Sequence, residues 1–140
     1  MEYINRLWVG LLTLAILIGC EPTNNKNETE NPAELKEQEV MEIHDIAMAK
    51  MEIIYNYEVK LKAKLADQGP DSTKINQYLE DLSIAHESMM NWMRNYKKPD
   101  GTRPQQEVIT YLEKEKIKIE EVNTFTHKAI AQAEAFISSH

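Results

Sequence analysis

The sequence predicts an all-α fold, an up-down-up antiparallel three-helix bundle with coiled-coil-like packing, reached after a signal peptide and a disordered tether. Two observations predict the bundle. Beyond the first twenty residues only two glycines occur, Gly69 and Gly101, each close to proline, and they divide the chain into three long segments whose interiors hold neither Gly nor Pro. Within each segment apolar residues recur at three, four or seven positions, the spacing of one helix face, while strand alternation fails throughout. Short connections make sequential neighbours antiparallel.

The first helix is expected over about 32–67. Asn31-Pro32-Ala33-Glu34 offers an N-cap, a proline in the first turn and a glutamate partner. Val40, Ala47, Met51, Ile54, Leu61 and Leu65 mark its buried face, and Gly69-Pro70 ends it. The second, about 72–98, takes Asp71 or Ser72 as N-cap and buries Ile75, Leu79, Leu82, Met89, Met93 and Tyr96. It stops before Pro99, with Lys97 and Lys98 in a last turn that suits the helix dipole. The third, about 103–138, opens on Thr102-x-x-Gln105 as a capping box and buries Val108, Leu112, Ile119, Val122, Ala129, Ala133 and Phe136. At about 1.5 Å per residue each helix is on the order of 40 to 50 Å long. Asp71-Ser72-Thr73 also resembles a short O-glycosylation acceptor at Ser72 or Thr73, although a helix cap explains the same residues.

Ahead of the bundle, MEYINRLWVGLLTLAILIGC carries Arg6 and then an apolar run from Leu7 to Gly19. That run is short for a bilayer span and has the layout of a secretory signal over residues 1–19. Its end, Leu17-Ile18-Gly19-Cys20, resembles the lipobox of bacterial lipoproteins. The resemblance implies cleavage before Cys20, which becomes diacylated and holds the chain on a membrane, the outer more than the inner. Cys20 is the single cysteine, so no intrachain disulfide forms. Residues 20–31 are polar and read as a tether too poor in apolar surface to order itself.

The formal charge of −7 disfavours nucleic acid, whose phosphates an acidic domain repels. No sequence pattern supports an enzyme. Gly-rich phosphate loops, GxSxG, HExxH, CxxC and CxxCH are missing. Di-iron bundles need Glu three residues before His, where this chain has Met41, Ser83 and Thr124.

Two related stretches remain, HDIAMAKM (44–51) and HESMMNWM (86–93), each a His followed by Met at four and seven residues. Antiparallel reflection about position 69 sets Met48 opposite Asn91 and Met51 opposite Ser88, so the methionines share a level while His44 and His86 stand apart. The favoured reading is a packed Met-rich core layer, because methionine fills irregular gaps. The alternative is a copper or haem site built on His44 with Met48, Met90 and Met93, since thioether and imidazole suit Cu(I) and can ligate haem iron. YLEKEKIKIEE (111–121) reads as a solvated face with Glu113 and Lys116 paired at i,i+3. Trp92 and Tyr96, beside Lys97, Lys98 and Arg103, make a candidate partner-binding patch; a half-buried Trp92 closing the core is the favoured alternative.

The lipobox and tether come with His44, Asp45, Met48, Lys50, Met51, His86, Met89, Met90, Trp92, Met93, Tyr96, Lys97, Pro99, Tyr111, Leu112 and Glu115. Together these resemble a group of small lipoproteins of Bacteroidota-type bacteria, some labelled viral A-type inclusion protein, over most of residues 41–120. The resemblance implies an envelope location and a helical fold, and brings no activity with it. The expected function is therefore a non-enzymatic, membrane-anchored helical module that binds an envelope protein or component.

Overall fold

The computed structural model describes residues 31–66 and 70–139. They form α1 (Pro32–Met48), α2 (Met51–Ala66), α3 (Ser72–Asn95) and α4 (Gln105–Ser139). No strand occurs among the described residues. α1 and α2 make the first arm of an antiparallel three-arm helical bundle, α3 the second and α4 the third. α4, about 52 Å long by its helical rise, packs along all the others: α1 lies chiefly on α4, whereas α2 lies on α3 and, more lightly, on α4.

At the start of α1 the Asn31 side-chain oxygen accepts the Ala33 N–H at 3.1 Å, and its amide donates to Glu34 at 3.2 Å. The same oxygen accepts from the Gln105 amide at 2.6 Å, which ties the beginning of α1 to that of α4. The single helix expected over 32–67 is interrupted at Ala49-Lys50. There the Lys50 N–H donates to Ala47, three residues back, before regular spacing resumes with Ile54 N–H to the Lys50 carbonyl. Such a tightened turn interrupts a helix without Gly or Pro. The buried positions Val40, Ala47, Ile54 and Leu61 keep their seven-residue spacing across it, so the face stays in phase while the arm moves from α4 towards α3. The Lys50 ammonium bonds Asn123 of α4 at 2.6 Å beside this turn.

Two other boundaries also differ from expectation. α3 ends at Asn95, because Tyr96 turns into extended backbone (φ −62°, ψ 130°) and stacks its ring on Trp92 with centroids 4.9 Å apart. Lys97 and Lys98 therefore lie beyond the helix, and Arg94 is the base of its last turn. α4 has no Thr102 cap. The Thr102 N–H and hydroxyl both donate to Asp100, at 3.0 and 2.7 Å, closing a local turn instead. Gly101 sits within that turn at φ +77°, where a side chain would be strained.

The core has two parts. One gathers Ile54, Leu61, Ile75, Leu82, Ala85, Ala129, Ala133 and Phe136. The other gathers Val40, Ala47, Met89, Trp92, Val108, Leu112 and Ile119 at the end where α1 begins. Residues such as Leu61, Leu82 and Leu112 are fully buried, and each contributes about 1.5–3 kcal/mol by leaving water. No helix among the described residues is long and apolar enough to cross a membrane. The signal segment, Cys20, nearly all of the tether, Gly69 and His140 lie outside the described residues.

Candidate functional site

Five side chains, from α1, α3, α4 and the connection between α3 and α4, form a continuous stack at the α1 end of the bundle. His44 of α1 lies against Trp92 at 5.6 Å between ring centroids, Trp92 against Tyr96 at 4.9 Å, and Tyr96 against Tyr111 of α4 at 6.2 Å. The Arg103 guanidinium closes the row over the Tyr111 ring at 5.1 Å. The Tyr111 hydroxyl in turn accepts the Lys97 N–H at 2.7 Å, fixing the loop that leaves α3.

This arrangement corrects the idea of an exposed aromatic pair beside the basic residues. Trp92 is 6% exposed and belongs to the core; Tyr96 is half-buried, and Lys97, Lys98 and Arg103 are exposed around it. Lys98 is held by Glu37 of α1 at 3.2 Å. The Trp92 indole nitrogen and the Tyr96 hydroxyl are buried without a hydrogen-bond partner among the described residues. Burial, with the negative charge of Glu37 behind it, pushes the Tyr96 hydroxyl up to about 12.

The solvated face expected over 111–121 also needs correction at one point. Glu115 is only 5% exposed, next to Trp92 in the wall of a groove. Its carboxylate accepts from Lys118 at 2.7 Å, and that bond raises Lys118 above the ordinary lysine value. Lys116 reaches not Glu113 but Glu39 of α1, at 2.8 Å, while Lys36 bonds the same carboxylate oxygen at 2.9 Å. Two ammonium groups on one carboxylate lower Glu39 to about 2.

The groove beside Glu115 runs between α3 and α4, with a volume of about 610 Å³. Ile84, Trp92, Val122 and Phe125 make its apolar lining; Ser88, Asn91, Asn95, Glu115, Lys118 and Glu121 make its polar rim. Through Glu121 and Phe125 it continues onto the outer side of α4, past Ile117, Glu120 and Lys128. Ile84 and Ile117 are 45% and 57% exposed. Sequence periodicity missed this surface because Ile84 and Ile117 fall outside the heptad face and look like scattered surface residues.

Of the candidate metal ligands, Met48, Met90 and Met93 are half-buried and pack against the same core cluster. The His44 side chain is 17% exposed, and its Nδ1 lies 2.8 Å from the exposed Asp45 carboxylate. His86 is exposed and lines a separate cleft of about 200 Å³ with Met51, Ile54, Tyr55 and Glu58. No cluster of three or more His, Cys, Asp or Glu suited to a metal occurs among the described residues.

What these features define at the level of class is a helical bundle with a partly buried aromatic row and an open groove beside it. No protein-family model matches the chain, and no curated protein or solved structure matches it.

Proposed function

We propose that the chain is a non-enzymatic, lipid-anchored helical module of the bacterial envelope whose α3–α4 groove holds an amphipathic helix of another envelope protein. The observation that carries this reading is the groove itself. Single exposed apolar residues are ordinary, but here Ile84, Val122 and Phe125 line one channel that continues through Phe125 to Ile117. A helix laid in such a channel inserts apolar side chains at i, i+3, i+4 and i+7. With Glu115 paired to Lys118, Glu120 and Glu121 outnumber Lys128 along the channel, so the complementary helix carries basic residues beside its apolar stripe. The membrane anchor rests on Cys20 and the lipobox that precedes it.

Two measurements test this. A clickable palmitate analogue fed to expressing cells should label the wild-type chain and not the Cys20→Ser variant; equal labelling removes the anchor. An Ile84→Asp variant, altered at an exposed position, should retain the wild-type melting temperature and lose co-purification of the partner captured by the wild-type chain. Co-purification undiminished by both Ile84→Asp and Ile117→Asp would rule out the groove.

A further inference from the structure

The seam between the first arm and α3 holds a second group of chemistry-bearing side chains, distinct from the groove. Its register follows from one shared cleft. Met51 and His86 line that cleft together, and the first arm and α3 run antiparallel. Seven residues back from Met51, across the turn at Ala49-Lys50 that keeps the face in phase, is His44, and seven forward from His86 is Met93; each step is roughly 10 Å. Three residues back from Met51 is Met48, which stands level with Met89 and one residue from Met90. The His44 ring lies against Trp92, the chain neighbour of Met93, which fixes the same register independently. Met48, Met90 and Met93 all pack on one cluster and stay half-buried, reachable from solvent.

The His44 environment suits a ligand. A carboxylate can only accept, so the 2.8 Å contact with Asp45 places the ring hydrogen on Nδ1 and leaves the Nε2 lone pair available. An acceptor behind the distal ring nitrogen is the usual companion of a metal-binding histidine, orienting the ring and raising its basicity. Uncharged thioethers with one imidazole select a soft monovalent ion over zinc, calcium or magnesium. The indole beside the site adds an electron-rich face that favours a cation. We propose that His44, Met48, Met90 and Met93 form a Cu(I) site on this seam, with His44 Nε2 and the thioether sulfurs as donors and Trp92 as its aromatic wall.

The test is a Cu(I) competition titration against a colorimetric chelator under anaerobic conditions. It uses the full chain in detergent with Cys20→Ser throughout, so that no thiol competes. The expected result is one Cu(I) per chain. His44→Ala should weaken binding on the order of 100-fold, and Asp45→Ala about tenfold, the range seen when a ligand's supporting acceptor is lost. Met48→Leu and Met93→Leu keep the packing volume; each should weaken binding several-fold with the melting temperature held. His86→Ala should leave affinity unchanged within about twofold, the histidine being exposed, a full turn from Met90, and part of the separate cleft with Met51 and Tyr55. Failure to retain Cu(I), equal dependence on His44 and His86, or indifference to both Met→Leu changes would overturn the proposal.

Discussion

The two halves of the bundle are built from the same heptad spacing and filled with different chemistry. The half around Leu61 and Leu82 is aliphatic, with the Tyr78–Phe136 ring pair at 5.3 Å as its main aromatic contact. The half around Met89 and Leu112 contains Trp92, buried Glu115, the half-buried Met48, Met90 and Met93, and two buried polar atoms without partners among the described residues, against one, the Thr126 hydroxyl beside Ala129, in the other half. Buried polar atoms without partners lower stability relative to a plain core. The difference teaches that one spacing accommodates two kinds of interior: chiefly apolar packing in the first half, and a mixture of aromatic, thioether and charged groups in the second.

The largest test of that contrast is a pair of truncations at equally buried positions. Leu82→Ala in the aliphatic half and Leu112→Ala in the mixed half each leave a cavity at a site 0% exposed. Each should cost about 2–5 kcal/mol in chemical denaturation. Leu82→Ala should fall at the upper end, since rigid aliphatic neighbours collapse less than flexible methionines do. An equal or reversed order would remove the claimed difference in packing between the halves.

A smaller effect of the opposite sign is expected at Tyr96. Its hydroxyl is buried without a partner, so Tyr96→Phe should be neutral or stabilise by up to about 1 kcal/mol near neutral pH. The same residue shapes the alkaline limb. Its folded value, about 12, lies above the ordinary 10, so the folded state holds the proton more tightly. The linked stability is complete below pH 10 and is lost as pH rises through about 12. Tyr57, raised by burial and its bond to Glu134, acts in the same direction in the other half. Melting temperatures across pH 9–12 should fall less steeply in Tyr96→Phe than in wild type; unchanged steepness would mean that the ring is not buried as described.

Much of the fold was legible because helices announce themselves through long-range spacing. Val40, Ala47, Ile54 and Leu61 fall on one face whatever happens between them, and Gly101 with its flanking prolines marks a loop outright. The turn at Ala49-Lys50 was not legible, since neither residue breaks a helix alone and the interruption accompanies a change of neighbouring helix. Tyr96 was misplaced for a related reason: its apolar spacing fits α3, yet its ring reaches Trp92 and Tyr111 from extended backbone. Glu115 looked solvated among its Glu-Lys neighbours, and only its place opposite Trp92 buries it. The shared level of the methionines was visible in the antiparallel topology; the indole beside His44 required the three-dimensional register.

The smallest predicted effect lies where α1 meets α4 at the surface. Glu39 accepts from both Lys36 and Lys116, and these two bonds lower its carboxyl from 4.5 to about 2. A depressed carboxyl contributes stability above its unfolded value and loses that contribution as pH falls through the folded one, here between about 4.5 and 2. The Lys116 value is raised by the same bond, so the contact persists through neutral pH. Because both side chains remain partly open to solvent, salt screens the pair and the effect is shallow. Glu39→Gln should therefore flatten the acid limb of the melting curve slightly, and 1 M salt should bring wild type close to the variant. A difference that survives high salt would mean that Glu39 acts through packing of α1 on α4 and not through charge, which would move the mixed half's stabilising contacts from its interior to its rim.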